Sequence, residues 1–118
     1  MFEVELYETT DEKKPVNDFI LSLDIKIRAK LVGLIKVLEE KGVELREPYS
    51  KHLDDGIFEL RCKQGTNAIR VLYFFYVGKR IVVTNGFVKK TQKTPKKEIK
   101  LAKSRRKEWL SRIRSDKE

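Results

Sequence analysis

Ile57-Phe58-Glu59-Leu60-Arg61-Cys62-Lys63, then Ile69-Arg70-Val71-Leu72-Tyr73-Phe74-Phe75-Tyr76-Val77, then Ile81-Val82-Val83-Thr84-Asn85-Gly86-Phe87-Val88 decide the fold. The first run alternates Phe58, Leu60 and Cys62 with Glu59, Arg61 and Lys63, the period of a strand with one face inward. The second is almost wholly apolar, as expected of a central strand covered on both faces. The joins are short and hold Gly65 and Gly78-Lys79, which suits tight antiparallel hairpins. A three-stranded meander over 57–63, 69–77 and 81–88 is the result.

Turn length fixes register, and register fixes which side chains meet. A two-residue turn at Gly65-Thr66 makes opposing residues sum to 131, which sets Arg61 across from Arg70. A two-residue turn at Gly78-Lys79 makes the next pairs sum to 157, which sets Arg70 across from Phe87, with Lys89 one diagonal step away on the same face. Two arginines directly opposed weaken a sheet by a few tenths to about 1 kcal/mol. An anion between the guanidiniums removes that penalty, and their planar forks suit phosphate oxygens. Lys90 and Lys93, on the loop that follows, can lean over the same spot.

Upstream of the meander, Phe2-Glu3-Val4-Glu5-Leu6-Tyr7-Glu8 alternates apolar and acidic residues, which predicts a half-exposed strand over 2–8. Pro15 opens a short helix through Phe19, Ile20 and Leu23. Asp24 is placed to N-cap a second helix that ends at Gly42, with Ile27, Leu31, Leu34, Ile35 and Leu38 forming one core-facing stripe. Residues 43–56, with Pro48 and Asp54-Asp55-Gly56, read as a loop. Downstream, Thr94-Pro95 is an N-cap and first-position pair for a basic helix carrying Ile99, Leu101, Trp109, Leu110 and Ile113. The chain beyond Ser115 is expected to fray. The whole is one α+β domain over residues 1–118: a small antiparallel sheet, two N-terminal helices and a C-terminal basic helix.

The 118 residues suffice for one core and not for two. From Lys89 to Glu118, thirteen Lys and Arg face four acids, a net +9 equal to that of the whole chain. The first 88 residues hold fourteen of each sign and are neutral. Charge concentrated at one end builds a local field for phosphate or an acidic partner. Lys96, Lys97, Lys100, Lys103, Arg105 and Arg106 are the candidate residues for binding a polyanion such as RNA. No run nears the roughly 20 apolar residues of a membrane span, and the acidic N-terminus lacks the order of a signal peptide. One cysteine, Cys62, and one histidine, His52, form neither an internal disulfide nor a metal-ligand cluster. A cytoplasmic protein without metal or other cofactor is expected. Cys62 reads as core, and His52 as structural.

If the polyanion is RNA, its cleavage by 2′-OH attack would need a base, an acid and charge stabilisation at the phosphorane. Clustered cations supply the last and depress a neighbouring lysine's pKa, which would make Lys89, Lys90 or Lys93 a base. Glu59 shares the strand face of Arg61 and is the alternative base; its other role is ion-pair partner to the arginines.

Asp55-Gly56-Ile57-Phe58-Glu59-Leu60-Arg61, Ile69-Arg70-Val71-Leu72-Tyr73, Asn85-Gly86-Phe87-Val88-Lys89-Lys90-Thr91-Gln92-Lys93-Thr94-Pro95 and Glu98-Ile99-Lys100-Leu101-Ala102 together resemble the RelE/ParE toxin superfamily. The likeness is greatest to its phage-Gp49-like HigB branch and densest over residues 53–102. It implies the toxin of a type II toxin–antitoxin pair, a ribosome-dependent endoribonuclease that cuts mRNA in the ribosomal A site. It also implies a co-expressed helix-turn-helix antitoxin of HigA type. Residue by residue, Arg70 matches the RelE arginine that contacts the scissile phosphate. Arg61 falls near a lysine on RelE's preceding strand, and Lys89 and Lys90 match a Gly-Lys-Arg segment whose arginine is catalytic. RelE's C-terminal catalytic tyrosine has no counterpart, since the last helix offers Trp109, and the catalytic histidine of some HigB enzymes is unmatched too. Two other readings stay open: a ParE-like inhibitor of DNA gyrase, and a non-catalytic nucleic-acid-binding module that works through its last helix.

Overall fold

The computed structural model describes residues 1–117, with side chains through Arg114. Among the described residues the order is β1 (Glu3–Leu6), α1 (Pro15–Ser22), α2 (Ile25–Lys41), a 3-10 turn at Gly42–Glu44, β2 (Ser50–Asp54), β3 (Ile57–Gln64), β4 (Asn67–Tyr76), β5 (Arg80–Val88) and α3 (Lys96–Lys117). The expected fraying beyond Ser115 falls on side chains, and at Glu118 on a residue, outside those described.

The α+β architecture expected from the sequence is present, with two corrections. The strands form one sheet ordered β1-β5-β4-β3-β2, and β1 lies parallel to β5, so the sheet is mixed rather than wholly antiparallel. Within the stretch read as a loop, Ser50–Asp54 forms an edge strand against β3. Five residues with Lys51-His52 at the centre show no apolar alternation to read. What holds them is the ladder to β3 and a hydroxyl contact between buried Ser50 and Tyr73.

Helices cover both faces of the sheet. Val16 and Ile20 of α1 and Ile27, Leu31, Ile35 and Leu38 of α2 pack on Leu60, Cys62, Val71, Tyr73 and Val83. On the opposite face, Ala102 and Trp109 of α3 pack on Ile57, Leu72, Phe74 and Val82. Central β4 is therefore buried from both sides, as its apolar run predicts. Trp109 is 3% exposed and donates its indole N–H to Glu5 Oε2 at 2.6 Å, which pins α3 to β1. Leu101, expected inward, faces out at 37% exposure, and the small Ala102 takes the buried place because α3 lies close to the sheet there.

The first hairpin has the expected register: Gln64 pairs with Asn67 and Arg61 with Arg70, and Gly65 takes the left-handed φ of +61° that its two-residue turn needs. The second differs near its turn. Tyr76 pairs with Arg80 across three residues, so pairs there sum to 156 rather than 157. A bulge at Thr84 then inserts one residue, and from Leu72–Asn85 onward the sum is 157, with Arg70 facing Phe87 as expected. Thr84's hydroxyl bonds Leu72 O at 3.2 Å, and its own carbonyl accepts from Arg105 Nη1 at 2.8 Å.

Candidate active site

Arg61, Arg70 and Glu59 share the sheet face that α3 covers only in part. Glu59 on β3 pairs with Leu72 and Arg61 with Arg70, so Glu59 lies two residues along its strand from Arg61 and diagonally across from Arg70. Glu59 is fully buried. Its Oε1 stands 3.1 Å from Arg61 Nε, in a hydrogen bond, and 3.5 Å from Arg70 Nε, an ion pair outside hydrogen-bond geometry. Its Oε2 accepts from the Thr94 hydroxyl. The anion that relieves the opposed arginines is thus supplied by the chain itself.

Thr94 departs from its expected role as helix cap. Its hydroxyl is spent on Glu59, and the first turn of α3 closes instead on the Pro95 carbonyl, which accepts from Glu98 N at 3.0 Å. The basic loop is consequently tied at both ends. Lys89 N bonds Ala68 O at 2.8 Å, continuing the β4–β5 ladder, and Thr94 docks on Glu59. Asn85, buried on β5, donates its amide to Glu98 Oε1 at 3.0 Å and fixes the start of α3 beside the loop.

Lys89 is half-buried next to this cluster. Burial pushes its pKa down, Arg70, Arg61 and Lys51 push it further, and Glu59 opposes them. Burial likewise lowers the pKa of Arg70, with Glu59 opposing. Lys90 and Lys93 are exposed on the loop between the two ties, and Thr91 bonds the Lys93 carbonyl at 2.8 Å.

The six cations assigned to RNA or the ribosome divide into two sets. Lys96, Lys97 and Lys100 are exposed at the start of α3. The others hold α3 to the body: Lys103 pairs with Asp54 at 2.5 Å, Arg106 with Asp55 at 2.9 Å, and Arg105 bonds the Thr84 bulge and lies 5.3 Å from the Tyr7 ring. His52 is structural as expected: Nε2 accepts from Gly56 N at 3.1 Å across the β2–β3 turn. Cys62 is core, 1% exposed, and burial raises its pKa. Tyr76 packs on Trp109 with ring centres 5.0 Å apart.

Beyond Ser50–Leu60, the last β2–β3 pair, β3 loses its neighbour, and only Tyr49 O continues the ladder by accepting from Arg61 N at 2.8 Å. A cleft of about 440 Å³ opens at this edge. Arg61 and Arg70 line it together with Leu34, Val37, Cys62 and Tyr49. Sequence reading passed over Tyr49, which lies in no periodic run, and took Thr94 for a cap; the Asn85–Glu98 tie has no local sequence signal. Among the described residues, no three His, Cys, Asp or Glu side chains are grouped to hold a metal ion, and no helix is long and apolar enough to cross a membrane.

A family model described as phage derived protein Gp49-like matches residues 18–107, which span α1 through the middle of α3 and include every residue of this cluster. No curated protein matches the chain.

Proposed function

Because the chain belongs to the phage-derived Gp49-like family, a family of RelE/HigB-type toxins, we propose that it arrests translation by cutting messenger RNA on the ribosome. The observation that carries this reading is the Arg61–Arg70 cross-strand pair, opening on a cleft with Lys89 beside it. The two guanidiniums grip the scissile phosphate and stabilise charge on the phosphorane. The substrate's 2′-oxygen attacks phosphorus, its proton passes to Lys89, and the 5′-oxygen leaves with a proton from Lys90 or Lys93. The products are a 2′,3′-cyclic phosphate and a 5′-hydroxyl end. A lysine serves as base when its pKa is depressed, the direction that burial and the arginines impose on Lys89. Glu59 serves as tether, since both its oxygens are engaged by Arg61, Arg70 and Thr94. Lys96, Lys97 and Lys100 hold ribosomal RNA. The partners of this reading are the ribosome in the cytoplasm and a co-expressed helix-turn-helix antitoxin that restrains the toxin.

A binding module acting through α3 alone fits poorly, because Trp109 makes that helix part of the second core. The test is to add the protein to translating ribosomes and map mRNA 5′ ends. Cuts at codon boundaries that vanish in Arg70→Ala, with folding retained, are expected. Intact mRNA with inhibited DNA supercoiling would overturn the reading in favour of a gyrase poison.

A further inference from the structure

We propose that the cleft beside Arg61 is a nucleobase subsite, in which Tyr49 stacks on the base attached to the nucleotide whose phosphate the two arginines hold. The proposal rests on the ribonuclease reading above and names a further part of the substrate's binding site. Tyr49 is 54% exposed, while its backbone is hydrogen-bonded on both sides. Its amide bonds Arg46 O at 3.0 Å and its carbonyl accepts from Arg61 N at 2.8 Å. The ring's anchor point is thus one hydrogen bond from a phosphate-gripping residue and does not need ordering on binding.

The lining of the cleft matches one nucleotide in both its chemistries. Leu34, Val37 and the buried Cys62 give apolar surface for a base, while Arg61 and Arg70 give the anion site. Lys30 and Lys63 add two cations, and Lys30 Nζ is bound to the Lys63 carbonyl, which draws α2 against the end of β3. A volume of about 440 Å³ falls in the usual range for small-ligand sites, roughly 300–1,000 Å³. Protein recognition of unpaired RNA commonly joins an aromatic platform to a cationic backbone track. Of the other clefts, the one between β1, α1 and α2 is lined by Val4, Leu6, Ile20 and Leu21 and has no arginine, and the two of about 580 Å³ beside Arg46 and beside Arg106 and Arg114 are lined by neither Arg61 nor Arg70.

The test uses the full chain with Tyr49→Phe and Tyr49→Ala, translating ribosomes, and mRNA carrying either a normal or an abasic nucleotide at each position of the A-site codon. Tyr49→Phe is expected to cut like wild type. Tyr49→Ala raises KM about tenfold to a hundredfold with kcat within a few-fold, as loss of one base stack predicts. One abasic position reproduces that loss in wild type and adds nothing in Tyr49→Ala. A Tyr49→Ala protein with wild-type KM, or losses that multiply at every abasic position, overturns the subsite while leaving the nuclease intact. Should no variant cut mRNA, the ribonuclease reading fails. The subsite then stands or falls on equilibrium binding of a 2′-O-methyl trinucleotide, which Tyr49→Ala must weaken about tenfold and an abasic trinucleotide must not distinguish from it.

Discussion

Replacing Glu59 tests the centre of the site most directly. Its carboxylate is fully buried and lies 3.1 Å from Arg61 Nε and 3.5 Å from Arg70 Nε, whose side chains are 27% and 15% exposed. Glu59→Ala leaves two guanidiniums opposed without a counter-charge and the Thr94 hydroxyl without its acceptor. Removing one member of a buried pair costs about 3–5 kcal/mol. Water reaches both arginines and screens part of the repulsion, so the lower half, about 3–4 kcal/mol, is expected. That lowers Tm by about 10–15 °C in a domain of this size. Glu59→Gln keeps an oxygen for Arg61 and loses only charge, for about 1–2 kcal/mol. Urea unfolding with unchanged m-value measures both. Adding Arg61→Met to Glu59→Ala should restore at least 1 kcal/mol relative to the sum of the single changes, since the orphaned charge is then removed. An activity measurement separates tether from base: Glu59→Gln retains cutting within tenfold, whereas a general base would lose about 10²–10⁴. Glu59→Ala within about 0.5 kcal/mol of wild type, or full additivity with Arg61→Met, would refute the reasoning.

With Lys89 as base, log kcat rises with pH and levels off below the ordinary lysine value near 10.5; Lys89→Met loses about 10²–10⁴ in rate and flattens the profile. Its folded-state pKa lies below the unfolded one, so the unfolded chain binds more protons between the two values. Stability should therefore rise with pH across that window in wild type and not in Lys89→Met, as thermal melts at stepped pH will show. Changing Lys96, Lys97 and Lys100 together to Ala should shallow the salt dependence of single-stranded RNA binding by about 2 in log–log slope. Arg105→Ala should leave that slope alone and lower Tm, because its guanidinium is spent on the Thr84 carbonyl and the Tyr7 ring. Gly86→Ala should destabilise by about 1–3 kcal/mol in chemical denaturation, since a Cβ there would come 2.5 Å from the Phe19 ring.

What the sequence made legible was local and periodic. Pro15, Asp24 and Gly42 bracket two helices that form where expected, and Gly65-Thr66 fixes the register that opposes Arg61 to Arg70. The second hairpin reached the expected Arg70–Phe87 pairing by a different route, a longer turn offset by the Thr84 bulge. Nothing in Val77-Gly78-Lys79 or Thr84 reveals that pair of compensating irregularities, because a bulge depends on what packs over it, here Arg105 from a helix, 21 residues on. Strand β2 was illegible for a similar reason: its polar residues gain order from β3 and from Tyr73 rather than from their own pattern.

The site shows the same division. Alternation in β3 correctly put Glu59 and Arg61 on one face, yet could not say that α3 and the loop before it would seal Glu59 from water. That burial changes the physical problem the arginines pose. In an open sheet they would need a ligand to coexist; with Glu59 between them they need none. Two guanidiniums against one carboxylate still leave net positive charge, and Lys89 adds to it. The charge surplus of the last thirty residues is sorted in the same way. Lys103, Arg105, Arg106 and Arg112 are consumed by contacts that hold α3 down, Arg112 through the Glu8 carbonyl and the Tyr7 ring. Lys90, Lys93, Lys96, Lys97 and Lys100, which have no ion-pair partner among the described residues, sit on the loop and first turns beside Glu59. A charge run that looks uniform in sequence thus folds into a polarised field. Lys107 and Arg114 are exposed farther along α3, but Lys90, Lys93, Lys96, Lys97 and Lys100 gather at the end nearest the arginine pair, where an incoming polyanion would be drawn first.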